Sequence, residues 1–238
     1  QVSDECREVL NSTRTLTCYV ETLPFECPVD ADLRACIRFD EDVAGTYLDC
    51  SGNSNTVHHT NGALVPGISN LAASGIPTAT YQMADSASLD LTSAMTIEAW
   101  VRLDSLPSSG RVGIMDNDGQ YGISVHEGTG LRCTNGISSL PHIPVSTGVW
   151  FHMACVWDGT TLGLYLDGTP VAKMSSTGTM ATTNTNQVSL LSSSRAVNER
   201  VNGALDNLRV WHSSRTRAQI CADAGLDCVY TVGLADSW

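Results

Sequence analysis

Trp150-Phe151-His152-Met153-Ala154-Cys155-Val156-Trp157-Asp158-Gly159, continued by Thr160-Thr161-Leu162-Gly163-Leu164-Tyr165-Leu166-Asp167-Gly168, spells out a β-hairpin. Two β-rich runs each end in Asp-Gly, and Asp-Gly supplies the positive φ that tight hairpin turns require. A second stretch, Gly203-Ala204-Leu205-Asp206-Asn207-Leu208-Arg209-Val210-Trp211, reads as a strand opening on glycine and closing on tryptophan. A third runs from Leu89-Asp90-Leu91-Thr92 into Met95-Thr96-Ile97-Glu98-Ala99-Trp100-Val101-Arg102. Its alternation puts Ile97, Ala99 and Val101 on one face and Thr96, Glu98, Trp100 and Arg102 on the other. One face should see an opposing sheet, and the other should be wetter.

Outward from these anchors, further strands are expected at 56–60, 76–83, 111–115, 120–126, 130–134, 170–174 and 187–191. The strand through Trp211 is expected to begin near residue 200. Leu33-Arg34-Ala35-Cys36-Ile37-Arg38-Phe39-Asp40 also alternates, with Leu33, Ala35, Ile37 and Phe39 on one side. Many short strands divided by Gly, Asn, Asp and Ser predict an all-β fold of two packed antiparallel sheets. One helix is expected, near Arg215 to Ala224, with Gly225 at the position of a C-terminal cap. Ser175 to Ser194 is rich in Ser, Thr and Asn, the composition of a polar loop or an O-glycosylated segment.

The three anchor stretches together resemble the laminin-G-like, concanavalin-A-like β-sandwich family, in its pentraxin-related branch. Trp150, His152 and Ala154 match its W-x-H-x-A pattern, and Gly203, Asp206, Arg209 and Trp211 match G-x-x-D-x-x-R-x-W. The resemblance implies a jelly-roll sandwich over residues 33–222. Residues 1–32 are then an addition that carries Cys6, Cys18 and Cys27, and 223–238 form a C-terminal tail. It says little about function, because this sandwich hosts lectins, adhesion modules, accessory domains and hydrolases.

The chain has 238 residues and a formal charge of -12, with 13 Lys plus Arg against 25 Asp plus Glu. That balance disfavours nucleic acid and anionic membranes as partners. No apolar run approaches the about 20 residues of a membrane span. Nine cysteines without a C-x-x-C pair point to a secreted, disulfide-bonded, extracellular protein. With no signal peptide visible, the sequence reads as a mature form.

Catalytic patterns are missing. Glucanases of the superfamily set acidic residues in E-x-D-x-E or E-x-D-x-x-E on one strand, which faces the carboxylates toward one glycosidic bond. Here Glu98 stands alone in its strand and Asp104 lies beyond it. H-E-x-x-H, G-x-S-x-G and P-loop motifs do not occur. His152 fits a structural role, and the tandem His58-His59 lies in an expected strand. The chain is therefore expected not to be an enzyme.

A metal is the stronger expectation. Asp49-Cys50-Ser51-Gly52-Asn53-Ser54-Asn55 occupies the place where the family reads D-S-S-G-N-x-N. The resemblance implies a structural Ca²⁺ held by Asp49, Asn53 and Asn55 together with Asp206, since oxygen ligands on a glycine-bearing turn suit that ion. The alternative is a turn that bonds its own backbone. Asp116-Asn117-Asp118-Gly119 is explained by a hairpin turn, with a second calcium site as its alternative. Family-like positions put Trp100, Trp150, Trp157 and Trp211 mostly in the core, leaving Trp238, Tyr121 and Tyr81 as sugar-stacking candidates.

Cysteine arithmetic offers Cys36 with Cys50, Cys133 with Cys155, and Cys221 with Cys228 as bridges. An odd total leaves a thiol free or paired to another chain. The run Thr13 to Thr22 is β-prone, with Leu16, Cys18 and Val20 on one side, and Asn11-Ser12-Thr13 is a glycosylation sequon. A donated strand can complete an exposed sheet edge on a second copy of the chain. The resulting expectation is a non-catalytic structural or adhesive protein that self-assembles into a filament or surface layer, reduced to a folded monomer by removal of residues 1–32. A monomeric, calcium-containing, carbohydrate-binding module is the alternative, ahead of a diverged glycan hydrolase.

Overall fold

The computed structural model describes residues 25–180, 185–193, 200–226 and 228. Within them lie the strands β1 (Leu33–Ile37), β2 (Thr46–Tyr47), β3 (Val57–Thr60), β4 (Leu64–Pro66), β5 (Leu71–Gly75), β6 (Thr80–Met83), β7 (Met95–Leu103) and β8 (Arg111–Asn117). They continue as β9 (Tyr121–His126), β10 (Gly130–Thr134), β11 (Trp150–Trp157), β12 (Thr161–Leu166), β13 (Thr169–Ser175), β14 (Val188–Leu190) and β15 (Gly203–Trp211). One helix follows, α1 (Arg217–Asp223), and a 3-10 turn spans Ala87–Leu89.

The strands make a two-sheet antiparallel jelly-roll sandwich. The first sheet runs β13-β12-β11-β7-β15-β5-β4, with β1 also paired to β15, and the second runs β10-β9-β8-β14-β6-β3-β2. Leu166 pairs with Thr169, so Asp167 and Gly168 are the two central turn residues, at φ 45° and 69°. Both positive angles are what a two-residue hairpin twisted like its strands demands.

Alternation fills the space between the sheets. Ile97, Ala99, Val101, Met153, Cys155, Leu205, Leu208 and Val210 from the first sheet meet Tyr81, Met83, Ile114, Ile123, Val125 and Leu131 from the second. Cys133 of β10 bonds to Cys155 of β11 inside this layer, joining the two sheets covalently. Beyond Asp206 a bulge in β15 adds one residue against β7, with Asn207 at φ 53°. The bulge resets alternation so that Leu208 and Val210 return to the core, while Arg209 and Trp211 face outward.

The outward face of β7 is not the wet face that alternation alone suggests. Thr96 and Glu98 are buried there. Helix α1, opened by a capping box between Thr216 and Gln219, lays Ile220 on Ala154 and Val156. Phe25 and Cys27 pack on Leu33, Cys36 and Trp211. Cys27 bonds to Cys36, and Cys221 to Cys228.

The Cys27–Cys36 bond corrects the expected Cys36–Cys50 bridge. The Cys50 amide does donate to the Cys36 carbonyl at 2.9 Å, so the two residues are neighbours. Cys36 is buried on the face that residues 25–27 cover, whereas Cys50 is exposed and has no disulfide partner among the described residues. Asn11, Leu16, Cys18 and Val20 lie outside the described residues.

Candidate functional site

A groove of about 280 Å³ opens on the outer face of the second sheet, across β8, β9 and β10. Alternation aims Val112, Ile123, Val125, Leu131 and Cys133 inward, so the intervening Arg111, Ser124, His126, Arg132 and Thr134 line the groove. Arg111 pairs across the ladder with His126, and Arg132 with Ser124. Three consecutive strands thereby gather one cluster from residues 111 to 134.

The β8–β9 turn makes one end of the groove. Gly119 takes φ 87°, and Gln120 is held by Asn117 Nδ2, which donates to its Oε1 at 3.0 Å. Gln120 Nε2 donates in turn to Asp90 Oδ1 at 2.7 Å. Gly136, at φ 75°, lets the loop after β10 close on this turn. A Cβ there would meet Gln120 O at 2.5 Å, so glycine is required by both angle and space. The Asp116–Gly119 cluster is thus a hairpin turn and a groove wall at once.

The groove is divided electrostatically. Asp116 and Asp118 line the turn end, with Asp116 Oδ2 at 3.9 Å from Arg111. Toward β10 the potential is positive. Ser124 Oγ lies 3.0 Å from His126 Nε2, and the His142 ring lies tilted by 38° with its centroid 4.2 Å away. Burial first, then His142, Arg132 and Arg111, push His126 down to about 4, so it is neutral at physiological pH. The Nε of Arg132 is shielded from water and has no hydrogen-bond partner.

Tyr81 and Tyr121 are not sugar platforms. Both are buried, their hydroxyls donating to Ser74 O at 2.7 Å and Leu89 O at 2.8 Å. Trp157 and Trp211 are buried, but Trp100 and Trp150 stay half-exposed on the outer face of the first sheet, where Arg102 lies over Trp150. Trp238 is outside the described residues.

The expected calcium ligands are not assembled around one point. Asp49 Oδ1 accepts from the amides of Cys36 and Ser51, each at 2.9 Å, and Oδ2 from the Asn55 amide and the Ser51 hydroxyl, each at 2.8 Å. Asn53 and Asn55 donate to Leu33 O and Arg34 O. This loop bonds its own backbone and β1. Asp206 instead holds the β4–β5 turn, its Oδ2 accepting from Ile68 N at 2.9 Å and Ser69 N at 3.4 Å. Among the described residues no group of three or more His, Cys, Asp or Glu surrounds a metal-sized space.

Asp206 nevertheless has the chemistry of a cation ligand. It is buried, and its Oδ1 and the Ser69 hydroxyl lack partners. Desolvation, with Asp40 nearby, pushes its carboxyl up to about 7 against the pull of the Ser69 and Ile68 amides. Asp40 accepts from Leu71 N at 3.3 Å, so both carboxylates grip the same hairpin. A buried orphan carboxylate oxygen fits a hard cation that prefers oxygen, and the fitting donors are Asp206, Asp40 and Ser69 rather than the Asp49 turn.

One grouping joins residues that the sequence shows only as separate strand motifs. Trp211 Nε1 donates to Glu98 Oε1 at 2.8 Å, and His152 Nε2 lies 3.8 Å from Glu98 Oε2. Burial, with Asp223 nearby, pushes the Glu98 carboxyl up, while burial and Arg209 push His152 down to about 3. Arg209 donates to the carbonyls of Glu26 and Asp223, and Arg215 to the Asp223 carboxylate. This network is sealed beneath α1 and residues 25–27.

Comparison with known proteins agrees with this fold. The fold is similar to domain 4 of AbnA, an extracellular arabinanase from Geobacillus stearothermophilus solved with arabinotriose, at 19% identity and TM-score 0.64, covering 81% of this chain and 98% of that one. It is similar to the binding domain of Paraclostridial Mosquitocidal Protein 1, at 16% identity and TM-score 0.62 over 79% of this chain and 51% of that one. It is also similar to Trypanosoma rangeli sialidase in complex with sialic acid, at 14% identity and TM-score 0.61 over 80% of this chain. The chain spans only about half of the mosquitocidal domain and 32% of the sialidase. No curated protein matches by sequence. A model of the Laminin_G_3 family matches residues 76–221, more than half of the chain, and with that match the protein belongs to this family of the concanavalin A-like lectin/glucanase superfamily.

Proposed function

We propose that this is a non-catalytic, extracellular carbohydrate-binding module whose ligand lies in the β8–β10 groove. The observation that carries this reading is the groove itself, a concave 280 Å³ space lined by side chains with forked donors and acceptors. Sugar hydroxyls are recognised by such pairs, fixed in place by second hydrogen bonds like those that hold Gln120. The arabinotriose and sialic acid bound by the similar proteins support the ligand class. Three disulfides among the described residues suit an oxidising compartment. The lack of catalysis is supported by the burial of Glu98 and Asp206, the strand carboxylates at the first sheet's centre, which keeps both from any substrate. A Ca²⁺ would be held by Asp206 with Asp40 and would tie the β4–β5 turn to β15.

A glycan array probed with the whole chain tests the reading. Binding should appear, and both Asp118→Ala and Ser139→Trp, which alter and fill the groove, should reduce it at least about tenfold if the hydrogen bonds are direct. Binding indifferent to both substitutions puts the ligand elsewhere and overturns the assignment.

Covalent self-association is a second reading, favoured by exposed Cys50, which has no disulfide partner among the described residues. Non-reducing electrophoresis should then show a dimer that Cys50→Ser abolishes. A monomer under both conditions removes it.

A further inference from the structure

We propose that the groove selects sugars bearing a carboxylate, seated on the guanidinium groups of Arg132 and Arg111. This deepens the glycan-binding reading and rests on it. The first observation is the state of Arg132. Outside the groove, most of the described arginines that are not fully exposed are used: Arg34 donates to Ala31 O, Arg102 to Asp104, Arg209 to Asp223 O, Arg215 to the Asp223 carboxylate and Arg217 to Gly168 O. Arg132 donates to nothing among the described residues, and its Nε is already stripped of water. A desolvated donor without an acceptor is costly, and a charged one more so. Carboxylates are in surplus in this chain, 25 against 13 cationic side chains, so the vacancy is not for want of partners.

The second observation is placement. Arg132 on β10 and Arg111 on β8 flank β9, and the outer face of β9 between them carries Ser124 and His126. Strands lie about 4.8 Å apart, so the two arginines stand on either side of β9, both lining the groove and both near enough to His126 to act on its charge. Arg111 keeps only a 3.9 Å approach to Asp116, which leaves much of its fork open. Burial comes first in keeping His126 neutral, and the Arg132 and Arg111 charges that add to it are the ones an incoming carboxylate would meet. A planar carboxylate matches the guanidinium fork in a bidentate pair. The acidic end of the groove at the turn, with Asp118, is then left for the hydroxyls of the same ligand.

Isothermal titration of the full chain with matched pairs tests this. One pair is a glucuronate-terminated oligosaccharide and its glucose-terminated counterpart, and the other is sialyllactose and lactose. Sulfated lactose is the third arm. Each carboxylated sugar should bind at least about tenfold tighter than its neutral partner, with the ratio shrinking as salt rises. Arg132→Gln should bring the ratio toward one, while Arg38→Gln, an exposed cation outside the groove, should leave it unchanged. Near-ultraviolet circular dichroism confirms that both variants are folded. A preference that survives Arg132→Gln overturns the proposal, as does sulfated lactose binding as tightly as the carboxylates. If neutral and acidic sugars bind alike and Ser139→Trp blocks both, the carboxylate inference falls and the glycan reading stands. If no sugar binds, both fall.

Discussion

Trp211 donates its indole N–H to Glu98 across 2.8 Å, and both residues are closed off from water on the outward side of the first sheet. The pair comes from β15 and β7, its members 113 positions apart in sequence and brought together by one antiparallel ladder. A carboxyl in such a place prefers its proton, because ionisation there forfeits hydration.

The pH dependence of stability follows from that preference. A raised carboxyl pKa in the folded state means that the folded form binds more protons than the unfolded chain, so stability falls as pH rises through the interval. Glu98 and Asp206 both contribute this fall, with Asp206 completing it near 7. His152, pushed down to about 3, works oppositely, and its contribution is lost as pH drops below about 6.5. Above that value only the carboxyls act. The melting temperature should therefore decline from pH 6.5 to 9, and Glu98→Gln, which keeps an acceptor for Trp211, should flatten the decline. Equal slopes for both proteins in calorimetry would sink the assignment.

Calcium should stabilise the protein through Asp206. At a concentration a hundredfold above the dissociation constant, the gain is about 2.7 kcal/mol. The ion favours the carboxylate, so the gain should be larger at pH 8 than at pH 5. Asp206→Asn should abolish the response, whereas Asp49→Asn should weaken the β1 loop without removing it. A melting curve unmoved by calcium or chelator at pH 8 refutes this site.

Breaking the Cys133–Cys155 bond by replacing both residues with Ala should cost about 2–4 kcal/mol in denaturant titrations, through the freed chain between them. The bond crosses the sandwich, so separation of the two sheets becomes easier. A loss below about 0.5 kcal/mol would show that packing alone holds the sheets.

Deleting residues 1–32 should destabilise the sandwich rather than leave it untouched. The deletion uncovers Leu33 and Trp211, removes the Cys27 partner of Cys36 and strips Arg209 of the Glu26 carbonyl and the Phe25 ring. Phe25→Ala alone should cost about 1–3 kcal/mol. An unchanged melting temperature for the deletion would show this cover to be dispensable.

Much of the architecture was readable because it is local. The β11–β12 hairpin, the Asp167-Gly168 turn and the alternation of β7 need only neighbours in sequence. β4 and β5 escaped reading. Leu71-Ala72-Ala73-Ser74-Gly75 lacks the β-branched residues of a strand, and Gly75 is needed because a Cβ would meet Val201 O at 2.1 Å. The groove was hidden for the opposite reason. Arg111, His126 and Arg132 carry no motif, and only pairing across three strands makes them one site. The Cys27–Cys36 bond was missed since spacing cannot tell which side of β1 a neighbouring cysteine faces.

Phe25 and Cys27 enter the sandwich, and α1 with Cys228 leaves it, on the outward side of the first sheet, while the groove opens on the outward side of the second. The described chain therefore enters and leaves the sandwich on one side, and the side that carries the groove is free of both crossings.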